Sequence, residues 1–378
     1  MMMHIVSMYL FFVLSFAFYR QTEVNSELSQ ARHQPLRHHH SRIIPSITPM
    51  RNTSVKMMRA VLVRQFGGSD QMRVENLPIP TVGDKQVLIK VHSSGVNPVD
   101  TYVRAGQYKN LPNLPYTPGK DAAGLVHSVG PSVTRFKPGD RVFSSQTTQM
   151  GTLAEYACVD EPYVFPLGSS LTFDEGAAIG IPYFTAYRAL LQKGLAKKGE
   201  RVLIHGASGA VGLAAIQIAK NHGLYVVGTA GTKEGIELVL ETGADAAFNH
   251  RDSKYIENLL EGEKFDIIVE MLSNVNLGHD LTLMKSRGRT IVVGCRGPVT
   301  INPRDLMGTE SSIIGCALFA ATPDEFKELS TQVVKGITDG WVKPVIDSVY
   351  DLEKAGEAHD AVINSKGAKG KLVVRVQE

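Results

Sequence analysis

Three glycines fall at Gly-x-x-Gly-x-x-Gly spacing in His205-Gly206-Ala207-Ser208-Gly209-Ala210-Val211-Gly212. The apolar run Arg201-Val202-Leu203-Ile204 stands directly before them, and Leu213-Ala214-Ala215-Ile216-Gln217-Ile218-Ala219-Lys220 follows. A strand, a tight turn and a helix are therefore written consecutively. Glycines at such a turn let the main chain approach a bound pyrophosphate, whose charge is met by the first helix amides and the positive end of the helix dipole. Small residues are also needed simply to pack a helix closely on a strand, and this spacing alone does not separate the two readings.

The flanking sequence does. Tyr225-Val226-Val227-Gly228-Thr229, Phe265-Asp266-Ile267-Ile268-Val269 and Thr290-Ile291-Val292-Val293-Gly294 are short apolar runs, separated by helix-compatible stretches at residues 234–242 and 277–285. That alternation predicts βαβ units. Strands rich in Val and Ile suit a parallel sheet buried on both faces, with right-handed crossovers stacking helices on either side. A ligand of such an open sheet lies beyond the carboxyl ends of the strands. Residues 228–231, His250, Asn276 and residues 293–296 all fall at or just past such an end.

A chain of 378 residues is long enough for two domains. Lys and Arg total 40 against 37 acids, but five arginines and two glutamates precede Lys56, so 35 of each sign remain from there on. A neutral body has no broad cationic field for non-specific binding of nucleic acid. Cys158, Cys295 and Cys316 are the only thiols and include no Cys-x-x-Cys pair. A disulfide framework and a structural zinc lobe are therefore not expected, and each Cys reads as a buried, inert thiol rather than a nucleophile.

Residues 1–55 differ in texture and leave three readings open. Residues 5–18 are uncharged and apolar but fall short of the ~20 residues that span a bilayer, and Ser15-Phe16-Ala17 has the small-x-small form of a signal-peptidase site. No Lys or Arg precedes that stretch, and the thiol inventory suits a reducing compartment. The Arg-, His- and Ser-rich residues that follow fit an organelle transit peptide equally. The third reading is an extension without a targeting role, poorly ordered, because Met57 and Met58 stand directly before the strand-like residues 59–65. It makes the protein cytoplasmic; the other two make it organellar or secretory. The sequon Asn52-Thr53-Ser54 matters only in a secreted chain.

Residues 56–176 have a β texture. Ala60-Val61-Leu62-Val63, Gln86-Val87-Leu88-Ile89-Lys90-Val91, Gly124-Leu125-Val126-His127-Ser128-Val129 and Asp140-Arg141-Val142-Phe143 are punctuated by Pro, Gly and Asp turns, as in a compact barrel-like domain. Residues 177–315 hold the nucleotide-binding pattern. Residues 316–378 supply a helix at 326–334 and a last strand, Lys371-Leu372-Val373-Val374-Arg375-Val376, which is expected to return to the first domain.

Over nearly all of residues 57–378 the chain resembles a known family. Gly95-Val96-Asn97-Pro98-Val99-Asp100-Thr101-Tyr102, Pro115-Tyr116-Thr117-Pro118-Gly119, Gly139-Asp140-Arg141-Val142-Phe143, the glycine turn and Ile301-Asn302-Pro303-Arg304-Asp305 look like the zeta-crystallins, the NADPH:quinone oxidoreductases of the medium-chain dehydrogenase/reductase superfamily. The resemblance implies an α/β architecture: a β-rich GroES-like catalytic domain, a doubly wound Rossmann domain, and a site in the cleft between them. It also implies a homotetramer, in which residues 311–318 are either an edge strand pairing across a dimer or an internal strand.

Zinc-dependent members of that superfamily place a metal-binding Cys after the Gly-Val pair and a His in a Gly-His-Glu segment. Here Asn97 and Lys120 stand in those places. No zinc is therefore expected, and alcohol oxidation, which leans on a Lewis acid, is disfavoured. A quinone accepts electrons without such help and needs only to lie against the nicotinamide and receive hydrogen bonds. Asn97 and Tyr102 are the candidate donors. Their structural alternatives are a turn former before Pro98 and simple packing in the cleft.

The family pattern carries cofactor contacts onto Tyr102, Ser208, Gly209, Ala210, Val211, Gly231, His250, Asn276, Val293, Gly294, Cys295, Arg296, Cys316, Ala317 and Leu318. An NAD-selective site usually has an acid at the end of its second strand. That end here reads Gly228-Thr229-Ala230-Gly231-Thr232-Lys233, without an acid and with a nearby cation, so NADPH is the expected cofactor and Lys233 a candidate for its 2′-phosphate. The resemblance implies three functions from different classes: one-electron reduction of quinones to semiquinones, with enone reduction as its neighbour; binding of AU-rich RNA, for which no sequence motif is present; and a structural crystallin role.

Overall fold

A computed structural model describes residues 55–145 and 150–377. The apolar stretch at 5–18, the Asn52 sequon and the three readings of the N-terminal extension lie outside the described residues.

The chain opens with β1 (Met57–Val63), which pairs antiparallel with β2 (Met72–Pro78). A second, seven-stranded sheet follows from β3 (Gln86–Gly95), β4 (Asp121–Val129), β5 (Arg141–Ser144), β6 (Tyr156–Asp160) and β7 (Val164–Pro166). Between β3 and β4 lies α1 (Pro98–Arg104), whose start is dictated locally: Asn97 caps it, Pro98 supplies the fixed φ of a first helical position, and the Asp100 carboxylate accepts from the Asn97 amide. The alternation of small and branched residues along β3 buries Val87, Ile89 and Val91 against Val126, Val142 and Val159, which forms the core of this half.

The short α2 (Phe173–Gly176) and the buried α3 (Gly180–Tyr187) lead into the second half. There β8 (Arg201–Ile204), α4 (Ala210–Asn221), β9 (Tyr225–Ala230), α5 (Lys233–Glu241), β10 (Ala246–Asn249), α6 (Tyr255–Leu260), β11 (Phe265–Glu270), α7 (Ser273–Leu283), β12 (Met284–Val292), α8 (Pro303–Thr309) and β13 (Ser312–Gly315) alternate as the hydrophobic pattern predicts. All six strands run parallel in the order β10-β9-β8-β11-β12-β13. The order reverses between β8 and β11, and the carboxyl ends at that reversal are where an open sheet binds its ligand. β13 is an edge strand of this sheet and not an internal one.

The chain then forms α9 (Pro323–Thr338), capped by Thr322, followed by β14 (Ile346–Asp351), α10 (Ala355–Asn364) and β15 (Lys371–Arg375). β15 pairs antiparallel with β3 and parallel with β14, so the last strand joins the sheet of the first half. α9 packs its apolar face of Phe326, Leu329 and Val333 into the core that contains α3 and α4. One boundary differs from expectation. The helical pattern over 277–285 stops at Leu283, because Met284 is already buried in register with Phe265 of β11.

Candidate active site

A cavity of ≈ 1350 Å³ opens between the two halves. From the first half it is lined by Asn97, Pro98 and Tyr102; from the second by Gly209, Ala210, Val211, Val293, Gly294, Cys295, Arg296, Cys316, Ala317 and Leu318; and along one side by residues of α10 and the segment leading to β15. Twelve of the residues named from the sequence thus share one wall system. Ser208, Gly231, Lys233, His250 and Asn276 do not line it. They stand beyond the carboxyl ends of β8, β9, β10 and β11, in a second group around the end of the same sheet.

The glycine turn works through its main chain. Gly206 holds φ +59, a left-handed conformation that a Cβ disfavours. At Gly212 a Cβ would come within 2.6 Å of the Ala207 and Gly206 backbones, so this glycine sets how closely α4 approaches the turn. α4 begins after Gly209 without any side-chain cap, whereas α5 and α9 are capped by Thr232 and Thr322. Its first residues line the cavity, and amides left without a cap at a helix start are available to an anion. The segment before β15 closes over the same turn: Gly370 donates to the Ser208 carbonyl at 2.9 Å, and Gly209 and Gly370 form an isolated bridge.

The second group is equally concrete. A Cβ on Gly231 would lie 2.7 Å from His250 Nε2 and 3.0 Å from Arg251 Nε, so the two basic side chains sit directly over this glycine. The Arg251 guanidinium also donates to the Lys366 carbonyl. Lys233 points elsewhere: its side chain is 85% exposed, with Glu237 at 3.8 Å as its charged neighbour. Asn276 is tied to the sheet, its Nδ2 donating to Glu270 Oε1 at 3.2 Å.

On the opposite wall Asn97 is buried at the base of the cleft. Its Nδ2 donates to Asp121 Oδ2 at 2.9 Å and, at 3.5 Å, to the Gly95 carbonyl; its Oδ1 accepts from the Lys371 ammonium, which also lies 3.3 Å from Asp121. Asp121 further accepts from the Ile181 amide at 2.9 Å. Burial lowers the Lys371 pKa, with Asp121 and Asp100 opposing. Burial, reinforced by the Asp121 charge, pushes Asp100 up to about 6. Tyr102 sits half-buried on α1 above this nest. The turn-forming role of Asn97 and its place in the cleft are therefore one arrangement: capping α1 is what presents its amide to Asp121 and Lys371.

The three thiols divide. Cys158 and Cys316 are buried, and desolvation pushes both up to about 11. Cys295 corrects the expectation of a buried thiol: it is exposed, because the chain leaves β12 at Val292 and turns outward at the cleft rim, and hydrogen bonds led by Ser273 lower its pKa.

Sequence reasoning did not single out Arg251, Lys371, or the buried trio His205, Glu270 and Asp280. Arg251 follows His250 directly, and a cation just past a strand end is a usable signal. Lys371 lies 274 positions from Asn97, and no local pattern joins them.

The donor set at the floor does not fit a zinc ion. An amide stands where a thiolate would be needed, and a buried ammonium lies against it. Among the described residues, His205, Glu270 and Asp280 are the grouping of such side chains close enough to hold a metal, and none of the three lines the cavity. The glycine turn, with its uncapped helix, does fit a dinucleotide.

Comparison with known proteins agrees with this architecture. The family described as alcohol dehydrogenase GroES-like domain matches residues 83–169, and that described as zinc-binding dehydrogenase matches residues 210–335. Human quinone oxidoreductase is 53% identical over 326 residues, spanning 85% of this chain and 99% of its own length. The Escherichia coli quinone oxidoreductase complexed with NADPH superposes with a TM-score of 0.76 at 27% identity, covering 84% of this chain and all of that one. An NAD-dependent alcohol dehydrogenase reaches 0.79 at 28% identity over 85% of this chain and all of its own. This enzyme, a GroES-like domain joined to a Rossmann domain with a cleft between them, belongs to the quinone oxidoreductase family of medium-chain dehydrogenases/reductases.

Proposed function

We propose that the chain is an NADPH-dependent, zinc-independent quinone reductase acting by one-electron steps. The observation that carries the reading is one cavity faced from one side by the uncapped amides of α4 and from the other by Asn97, Tyr102 and Lys371. Relatives named quinone oxidoreductase, and a structural neighbour complexed with NADPH, support the substrate class and the cofactor.

The α4 amides of Ala210 and Val211 would hold the pyrophosphate, with the helix dipole adding to the attraction. His250 and Arg251 flank the position of the adenosine ribose over Gly231, where Arg251 is the cation best placed for a 2′-phosphate. Ser208, Gly231 and Asn276 complete that end. Val293, Gly294, Cys295, Arg296, Cys316, Ala317 and Leu318, which share one wall of the cavity, would hold the nicotinamide end. NADPH, when bound, supplies two electrons, so each one oxidised reduces two quinones and releases a proton.

Tyr102 and the floor then deal with the quinone. A quinone taking up an electron develops negative charge on oxygen. The Asn97 hydrogen held only loosely by Gly95, with the Lys371 ammonium behind it, would offer that oxygen a hydrogen-bond donor. Tyr102 covers the ring and offers its hydroxyl. Pairing with Asp121 keeps the ammonium in place without a metal.

The test is steady-state oxidation of NADPH and of NADH with an ortho-quinone, alongside a primary alcohol with NADP, with electron spin resonance to follow radical products. Turnover confined to NADPH with quinone, a radical signal and indifference to chelators is the expected result. Tight NADPH binding without turnover of any quinone or enone overturns the reading.

A further inference from the structure

Beneath the glycine turn, three ionisable side chains from different elements meet in the dark of the sheet. His205 follows β8, Glu270 ends β11 and Asp280 lies on α7; their exposures are 2%, 0% and 0%. His205 Nε2 is 2.9 Å from Asp280 Oδ1 and 3.7 Å from Glu270 Oε2, while Nδ1 contacts Thr229 Oγ1 of β9 at 3.2 Å. Glu270 Oε1 accepts from the Leu272 amide and from Asn276 Nδ2. Two atoms are left over, Glu270 Oε2 and Asp280 Oδ2, both buried and without a donor.

We propose that Glu270 is carried as a carboxylic acid whose proton bridges to Asp280, and that this cluster positions Asn276 and the 271–273 turn for the cofactor. One proton satisfies both orphaned oxygens. It also settles the charge, since an imidazolium at His205, a carboxylate at Asp280 and a neutral Glu270 sum to zero in a site that water does not reach. A dication would satisfy the same oxygens, but it must displace the His205–Asp280 hydrogen bond, which is already well formed. Burial first, then the Asp280 charge, pushes Glu270 up to about 7, with His205 opposing. Desolvation works against a charged His205, but Asp280 and Glu270 outweigh it and the net shift is upward.

Other groups face the cluster. Tyr255 of α6 places its hydroxyl 3.5 Å from Asn276 Oδ1, and its own pKa is raised by burial and then by Asp280 and Glu270. Burial, then the Arg251 charge and last the His205 charge, lowers the pKa of His250, past β10. Neither supplies a proton donor to the two orphaned oxygens. When Glu270 ionises, two carboxylates are forced together. Glu270 moves away and takes its donors, Leu272 and Asn276, with it. The proposal rests on the cofactor reading above for its consequence, though not for the bridging proton itself.

Two measurements separate these parts. The infrared carbonyl stretch of a buried carboxylic acid is expected near neutral pH in the wild-type protein, shifted in D₂O and absent in Glu270→Gln. This readout needs no cofactor and, for its first half, no variant. NADPH affinity is then titrated against pH in the wild type and in Glu270→Gln, whose amide donates to Asp280 and accepts from Asn276 at every pH. The difference between the two profiles cancels the titration of the cofactor's own phosphate. Wild-type affinity is expected to fall about tenfold relative to Glu270→Gln as pH rises through the Glu270 transition, the scale of one lost hydrogen bond. By linkage, NADPH is expected to raise the pH at which the infrared band disappears. No carboxylic-acid band, or one equivalent of zinc retained after dialysis in wild type and lost in His205→Gln, overturns the bridging proton. A band with parallel affinity profiles overturns the positioning role. No NADPH binding at any pH defeats the cofactor reading and with it the positioning role, while the band still decides the proton.

Discussion

The two walls of the cleft are built by opposite means. The glycine turn is local and made of main chain: its eight residues are consecutive, and its contribution is what it lacks, Cβ atoms at Gly206 and Gly212 and a side-chain cap on α4. The floor is assembled from a distance and made of side chains: Asn97 after β3, Asp121 opening β4 and Lys371 opening β15 come together only when three strands of one sheet pair. A motif of the first kind survives as a pattern in the chain. A constellation of the second kind exists only in the fold, and its stability and its chemistry are carried by the same atoms.

That contrast breaks first at Lys371. Lys371→Met removes the ammonium and leaves Asp121 buried beside Asn97 without its countercharge, which is expected to cost about 3–5 kcal/mol in chemical denaturation. Adding Asp121→Asn is expected to recover much of that stability but not quinone turnover. If the double variant is as active as the wild type, the floor is structural only. Gly212→Ala tests the other wall. Its new Cβ would sit 2.6 Å from the Ala207 and Gly206 backbones, so α4 must shift outward. A loss of about 1–3 kcal/mol is expected, as for overpacked sites, together with weaker NADPH binding in fluorescence titration. Unchanged cofactor affinity would mean that the turn does not set the anion site.

This difference also explains what was legible beforehand. The alternating runs of Val and Ile, the glycine turn and the strand ends at Gly231, His250 and Arg296 were readable because period and punctuation are local properties. The fate of residues 371–376 was readable as a strand. The role of Lys371 as the partner of Asn97 was not, since nothing near Lys371 specifies which of several strands it will face. Cys295 misled for a related reason. Its neighbours describe the end of an apolar run, but its exposure depends on where β12 stops, and that is decided by pairing with β11 and β13. The trio of His205, Glu270 and Asp280 is spread over three elements and was invisible to spacing.

The floor side also carries two buried groups whose pH contributions oppose each other. His359 on α10 is 1% exposed, and neither ring nitrogen has a hydrogen-bond partner. Burial, with Arg104 adding to it, pushes its pKa down to about 3. Its folded pKa is thus below the unfolded value, so the stability it contributes is present above pH ~6.5 and is lost as pH falls toward about 3. Within that window the slope from this one group is about 1.4 kcal/mol per pH unit. Asp100 has the opposite sign. Its folded value is raised to about 6, so its contribution is complete below pH ~3.9 and disappears as pH rises through about 6. Between pH ~3.9 and about 6 the two slopes oppose each other, so His359→Leu is expected to unmask the Asp100 term and leave stability falling as pH rises through that range; an unchanged stability–pH profile would assign the acid behaviour to other groups.

The smallest expected effect separates two cations at the adenosine end. Lys233 was the candidate on sequence grounds, because it follows the acid-free end of β9. Its side chain is 85% exposed with Glu237 at 3.8 Å, and an exposed charge of this kind is screened and held in no single geometry. Arg251 is also at the surface, but its guanidinium is anchored on the Lys366 carbonyl and lies over Gly231, where the ribose would rest. A planar fork fixed in that way is suited to a phosphate in a way that a mobile ammonium is not. Arg251→Ala is therefore expected to lower the preference for NADPH over NADH about tenfold, the scale of one charge-assisted hydrogen bond, and Lys233→Ala less than about twofold. The reverse order in a direct comparison of the two Kd ratios would put the 2′-phosphate at the start of α5 and return the selectivity of this wall to its local sequence.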